Sequence, residues 1–236
     1  MAEGTEVVRT GILAGAAPES VYVAAGSAGA NLAVGELVGM ALDRGARVFE
    51  LAPGVVERVA TTVTPQPVLA VFPMLDLPEV PSRADLVVVM ADVRDPGNAG
   101  TVLRSADAAG VGAVVSCGGT VDPYNPKAVR ASAGSLFHVP LVLGDLPAAV
   151  LSGLADAGFR RLGAAVRGGE DYATVDWSVR SALVLGNEAS GLPEGLQLDG
   201  LVGIPMAGRA ESLNVGMACA VICFEALRQR RSSMPR

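Results

Sequence analysis

Lysine is almost missing from this chain of 236 residues: Lys127 is the only one, and His138 is the only histidine. Positive charge therefore rests on arginine, and the formal balance is −6. A broad basic face, the usual footprint of a protein that grips a phosphate backbone, is excluded as a global property. Any nucleic-acid contact has to come from local arginine placement. The deficit is uneven, since residues 1–82 hold four arginines and nine acids, a net of −5, and leave −1 for the rest. Cysteine is scarce too. Cys117, Cys219 and Cys223 lie in apolar settings, too few for a disulfide framework and in keeping with a reducing cytosol. Cys219 and Cys223 stand four apart on a predicted helix, but no second ligand pair accompanies them, so they read as packing residues rather than a metal pair.

Other absences narrow the class further. No run of about 18 apolar residues is present for a membrane span. The opening Met-Ala-Glu-Gly lacks a basic stretch followed by an apolar one, so no signal peptide is read. The chain has no G-x-G-x-x-G after a strand, no Walker loop, no G-x-S-x-G elbow and no H-E-x-x-H. These gaps argue against dinucleotide enzymes, P-loop NTPases, α/β-hydrolases and zinc proteases. His138, at the start of an apolar stretch, reads as structural. The expectation is a soluble cytoplasmic protein without a metal.

What is present is alternation. Half of the residues are hydrophobic, enough for a sizeable core. Residues 21–24, 47–50 and 68–72 read as strands, and 32–43 and 53–60 as helices, giving a small α/β unit over 1–72. Residues 72–82 carry three prolines and little periodicity, so 73–84 reads as a linker. From 85 to 236 strands are predicted at 86–90, 113–117, 137–143, 160–166, 182–185 and 201–204. Helices are predicted at 98–109, from Pro126, at 146–157 and at 213–229. Strands alternating with helices predict a parallel sheet covered on both faces, with ligands beyond the carboxyl ends of the strands.

Three loops at those ends carry unusual strings. Residues 92–104, Asp-Val-Arg-Asp-Pro-Gly-Asn-Ala-Gly-Thr-Val-Leu-Arg, pass from a strand into a helix, with Asn98 as the expected N-cap and Arg104 six residues on. Gly97 and Gly100 leave room for a second backbone or a ligand. Residues 183–193 end a strand in Gly186, where a ligand could approach closely, followed by Asn187 and Glu188. Residues 204–215, Ile-Pro-Met-Ala-Gly-Arg-Ala-Glu-Ser-Leu-Asn-Val, lead into the closing helix with the cap-type residues Ser212 and Asn214. Each string alone also reads as ordinary turn or cap chemistry. Lys127 and Arg130 stand three apart on one face of the helix that Pro126 opens.

In order and together, the three strings resemble the three signature motifs of the SpoU/TrmH family of RNA 2′-O-ribose methyltransferases in the SPOUT superfamily. The likeness covers roughly residues 86–231. The string at 130–134, Arg-Ala-Ser-Ala-Gly, is similar to the rRNA-modifying branch that includes the thiostrepton-resistance methyltransferases. Residues 3–72 resemble the small ribosomal-protein-like RNA-binding domain of that branch. The longer basic opening of those relatives is missing here, which implies an N-terminally trimmed chain.

The resemblance implies a parallel-sheet domain with a deep trefoil knot, whose loops form the cofactor pocket, and a homodimer. It implies methyl transfer from S-adenosylmethionine to a ribose 2′-hydroxyl, most readily of 23S rRNA. On this resemblance Gly186, Ile204 and Leu213 hold the cofactor through backbone groups, with Asn187 in the same set. Ala164, Leu185 and Met206 line its apolar parts. Arg104 sits near the reacting hydroxyl, with Asn98, Glu188, Ser212 and Asn214 orienting it and the loops. Lys127 and Arg130 join Arg104 as RNA contacts. The dimer is expected through the closing helix, with Val215, Ala218, Ile222 and Leu227 supplying apolar surface. The competing expectations are a tRNA 2′-O-methyltransferase and a non-catalytic RNA-binding or ribosome-assembly protein.

Overall fold

The computed structural model describes residues 1–62 and 64–233; the last three residues of the predicted 85–236 domain lie outside them. The chain forms two compact units, Met1–Leu75 and Asp76–Arg236.

The first unit runs β1 (Ala2–Glu3), α1 (Thr5–Leu13), β2 (Ser20–Ala24), α2 (Ser27–Ala30), α3 (Leu32–Asp43), β3 (Arg47–Leu51), α4 (Val55–Val59) and β4 (Val68–Val71). Its four-stranded sheet has the order β1-β4-β2-β3; β2 and β3 are parallel and the other pairs antiparallel. Asn31 caps α3 by accepting from the Ala33 and Val34 amides at 3.0 and 3.4 Å. Val34, Leu37 and Ala41, spaced three and four apart, bury one stripe of that helix. Sequence reading missed α1. Its buried positions are only Val8, Gly11 and Ile12, too short an apolar stripe to stand out from a polar stretch.

The second unit runs β5 (Leu86–Met90), α5 (Pro96–Ala108), β6 (Ala113–Ser116), α6 (Pro126–Ala131), a 3-10 turn at Ser135–Phe137, β7 (Leu141–Leu143), α7 (Pro147–Asp156), β8 (Arg160–Ala164), β9 (Glu170–Asp171), β10 (Ser181–Leu185), β11 (Gly200–Gly203) and α8 (Val215–Ser233). Its seven strands are parallel throughout, in the order β7-β6-β5-β10-β8-β11-β9. The parallel α/β sheet expected from the alternation is thus observed. The central strand shows why its sequence is continuously apolar. Val88 and Met90 join the core on one face, while Val87 and Val89 join the core on the other. On the first face α5 packs against both α6 and α8. Gly100 permits the α5–α6 approach, since a β-carbon there would lie 2.4 Å from Ala131 Cβ and 2.6 Å from the Ala128 carbonyl. The second backbone expected near this glycine is therefore that of α6.

Three local expectations are corrected. The N-cap of α5 is Asp95, not Asn98: its carboxylate accepts the Asn98 amide at 2.9 Å, and Pro96 takes the first helical position. The strand expected over 137–143 shortens to β7. Gly134, at φ 93°, starts the 3-10 turn, and Pro140 cannot donate to the ladder. His138 consequently leaves the sheet, and its Nδ1 lies 3.1 Å from Asp107 Oδ2. The linker is partly built into the second unit, because the Leu77 amide donates to the Leu141 carbonyl at 2.7 Å beside the edge strand β7. Cys219 and Cys223 are fully buried with their sulfurs 3.8 Å apart. The hydrogen bond with Cys223, together with burial, pushes the Cys219 thiol pKa well up, as suits packing side chains.

Candidate active site

β5 and β10 end level, with Leu185 opposite Met90, so the first two motif loops emerge side by side. The chain leaving β5 turns at Asp92, which has a left-handed φ of 73°. The Asp92 amide donates to Thr120 Oγ1 at 3.0 Å, and that hydroxyl donates to the Met90 carbonyl at 2.8 Å. Asp95 then caps α5. Its bond from the Asn98 backbone amide, helped by Lys127, holds the Asp95 carboxyl below the usual carboxylate range. Because Asp95 does the capping, the Asn98 side chain is left to face the adjacent loops.

The second loop folds back on itself immediately after β10. Asn187 and Gly191 exchange two backbone hydrogen bonds of 2.8 and 2.9 Å. The Asn187 side chain accepts from the Ala189 and Ser190 amides and donates to the Asp92 carbonyl at 3.2 Å. This amide ties the second motif to the first. Gly186 is a glycine because of this turn: a β-carbon there would sit 2.3 Å from the Gly191 carbonyl oxygen. The close approach that its sequence position suggested is made by the loop's own backbone.

The third loop delivers Asn214 to the N-terminus of α8, where its Oδ1 accepts from the Gly216 and Met217 amides at 2.9 and 3.3 Å. That capping fixes which way the side chain points. Its Nδ2 must face outward, and it donates to Asn98 Oδ1 at 2.7 Å. Asn98 Nδ2 in turn donates to Glu188 Oε1 at 2.7 Å. The three motifs, remote in sequence, are joined by the chain Glu188–Asn98–Asn214–α8. Each amide orientation is set by the next partner, and the carboxylate accepts at the end.

This network borders a cavity of about 650 Å³. Ala164, Leu185, Ile204, Met206 and Leu213 supply apolar wall, Gly186 and Asn187 the loop edge, and Asn98, Glu188, Ser212 and Asn214 the polar side. Sequence reasoning missed Ala165, Val166, Leu192 and Val202 in the wall, and also Glu211. The signal for Glu211 was its place next to Ser212 in the third string. Among the described residues no arginine, lysine or histidine lines the cavity, whereas Glu188 and Glu211 both do. A largely apolar pocket with two carboxylates and no cation suits a cationic amphipathic ligand and is ill-suited to a pyrophosphate. Val215, Ala218 and Ile222, expected to supply apolar surface to a dimer, line this cavity.

Arg104 lies outside the cavity wall, exposed on α5 six residues past Asn98. Its guanidinium has no partner among the described residues. Lys127 sits on α6, with its Nζ 3.3 Å from Asp95 Oδ2. Arg130 is half-buried on the same helix. No cluster of three or more metal-type ligands occurs among the described residues.

By fold and site the second unit is a parallel α/β domain with a cavity beyond the carboxyl ends of its strands. Residues 85–224 match the SpoU rRNA Methylase family model, and the chain belongs to that family. It is 38% identical over 185 residues to the 23S rRNA (guanosine(2553)-2′-O)-methyltransferase RlmP of Bacillus subtilis, covering 78% of this chain and 73% of that protein. It is also 38% identical to the 23S rRNA (uridine(2479)-2′-O)-methyltransferase of Streptomyces viridochromogenes, covering 71% of this chain and 62% of the relative. The AdoMet-bound rRNA methyltransferase of Sinorhizobium meliloti superposes with a TM-score of 0.84 at 31% identity, covering 99% of this chain and 87% of that one. The SpoU methyltransferase AviRb of Streptomyces viridochromogenes in complex with AdoMet gives 0.82 at 29% identity, covering 98% and 90%.

Proposed function

We propose that the protein is an S-adenosylmethionine-dependent methyltransferase that modifies a ribose 2′-oxygen of 23S rRNA. The observation that carries the reading is the hydrogen-bonded chain Glu188–Asn98–Asn214, which joins all three family motifs around a largely apolar cavity that no cation lines among the described residues. The curated relatives are named for this reaction, and the structural neighbours hold the cofactor.

The residues fit that cofactor. Leu185, Ile204, Met206, Leu213 and Ala164 give apolar surface to an adenosine and a methionine stem, and Gly186 and Asn187 present loop backbone. Glu188 and Glu211 offset a positive charge. When bound, S-adenosylmethionine supplies an activated methyl group on a sulfonium. The protein's task is then to hold the acceptor oxygen in line with it, and positioning carries much of the rate. Arg104 is assigned to that oxygen and the adjacent phosphate. A guanidinium keeps its proton, so it acts by stabilising developing alkoxide charge rather than as a ready base. Asn98, Glu188, Ser212 and Asn214 hold the loops around it. Lys127 and Arg130 on α6 extend the RNA contact, and the first unit adds an RNA-binding surface. The place of action is the cytoplasm.

A trefoil knot is proposed for residues 160–233. Strand β11 lies beside β8, on the far side of β10 from β5, yet α8 packs against α5, the helix that follows β5. The chain must recross the carboxyl ends of the strands between them. A homodimer through α8 is proposed on Met217 and Phe224, seven residues apart and 60% and 48% exposed. Met217→Asp with Phe224→Asp is expected to yield a folded monomer by light scattering; a dimer of unchanged mass would place the interface elsewhere.

Calorimetry tests the binding reading. One S-adenosylmethionine per chain is expected, with the same affinity in the presence of a chelator. A folded protein that takes up none would refute it.

A further inference from the structure

The turn between β5 and α5 holds two cations on two carboxylates. Asp92 Oδ1 accepts from Arg94 Nε at 2.8 Å, and Asp95 Oδ2 lies 3.3 Å from Lys127 Nζ. Arg94 is 70% exposed in its side chain. Its ion pair uses Nε alone, so the two terminal nitrogens carry no bond among the described residues. The residue that aims it is unusual. Asp92 is one of two described non-glycine residues with positive φ, a conformation that aspartate tolerates better than most. Its peptide is pinned on both sides, by the Thr120 hydroxyl at the amide and by the Asn187 side chain at the carbonyl. An exposed ion pair contributes little to stability and does not account for a turn fastened to two other loops. Asp92, Asn187 and Thr120 together hold a nearly free guanidinium at the carboxyl end of the central strand. That guanidinium is within electrostatic reach of Glu188 in the cavity wall. In a chain of net charge −6, such placement is the local kind that phosphate binding would need. The free terminal pair also matches the fork geometry by which arginine takes phosphate oxygens.

We propose that Arg94, aimed by Asp92, is a positioning residue that grips a backbone phosphate flanking the target nucleotide. Arg104, ten residues further along and outside the same wall, serves the reacting nucleotide itself. The inference rests on the reading of RNA as the substrate, and the experiment separates the two. Unmodified 23S rRNA transcript is the probe, with methyl transfer and filter binding as readouts. Arg94→Ala is expected to raise KM for the transcript about tenfold while kcat at saturating RNA and S-adenosylmethionine affinity stay within about twofold. The plot of log affinity against log salt should become shallower by about one. Arg94→Lys should restore the salt slope but only part of the affinity. Asp92→Asn, which keeps the backbone conformation accessible, should raise KM less than Arg94→Ala does. An Arg94→Ala protein with wild-type KM and salt slope would overturn the proposal and leave the methyltransferase reading standing. A drop in kcat with unchanged KM would equally overturn it, by moving Arg94 into the chemistry. A wild-type protein that neither binds nor methylates the transcript would instead remove the reading beneath it.

Discussion

Arg104→Ala is expected to cut methyl transfer by about 10²–10³ while leaving S-adenosylmethionine affinity nearly intact. The arginine stands on α5, outside the cavity and without a partner among the described residues. Removing it leaves the Glu188–Asn98–Asn214 chain and the cavity wall untouched. On the proposed reading the charge meets RNA and the reacting oxygen; inside the cavity it would repel a sulfonium. If Arg104 also takes part in proton transfer, the loss grows by a further factor of about 10²–10⁴. Arg104→Lys divides the two contributions. Lysine keeps the charge and loses the planar fork, so partial rescue points to electrostatic stabilisation and no rescue to a bidentate grip. Single-turnover rates with saturating cofactor, alongside calorimetry, make the measurement. Near-normal turnover by Arg104→Ala would remove it from the site, and weakened cofactor binding with normal turnover at saturation would move it into the cavity.

Gly186→Ala should fail earlier, at cofactor binding. The added methyl would lie 2.3 Å from the Gly191 oxygen, 2.5 Å from its carbonyl carbon and 2.6 Å from the Leu192 nitrogen. All three are backbone atoms that cannot rotate aside, so the paired turn between Asn187 and Gly191 must open. Opening it displaces Glu188 from Asn98 and Asn187 from the Asp92 carbonyl. Overpacking of this kind costs about 1–3 kcal/mol of stability. The expected outcome is a lower melting temperature and cofactor affinity reduced by at least about tenfold. A variant that binds S-adenosylmethionine normally would mean that the cofactor does not depend on this turn.

Much of the second unit was legible because its physics is local. A strand buried on both faces has to be apolar throughout, and residues 86–90 are. Pro126 after Asn125 opens α6 with the Asn125 side chain as its cap, as proline at a helix start predicts. The errors share a cause, which is competition between neighbours that spacing cannot rank. Asp95 and Asn98 are both good caps; Pro96 at the first helical position goes with Asp95, and the Asn98 amide is left to Glu188 and Asn214. Gly186 advertised close approach without saying to what. The brief strand β9 and helix α1 carry too few buried side chains to leave a periodic trace. The end of the sheet that bears the cavity was legible from the alternation, but the residues that meet there only through resemblance. Residues 98, 188 and 214 meet because β5 and β10 are neighbours and α8 returns to α5, and no periodicity reports that return. Glu211 escaped notice because one acidic residue in a loop looks like a solvated one until the wall around it is seen.

The central claim is tested most directly by transferring a labelled methyl group from S-adenosylmethionine to unmodified 23S rRNA transcript with the purified protein, then digesting the RNA to nucleosides. The account predicts label in a single 2′-O-methylnucleoside, at one position that resists alkaline cleavage, with the rate of labelling lowered by about 10²–10³ after Arg104→Ala. Label on a base, or an RNA that stays unlabelled with cofactor bound to a folded protein, would contradict it.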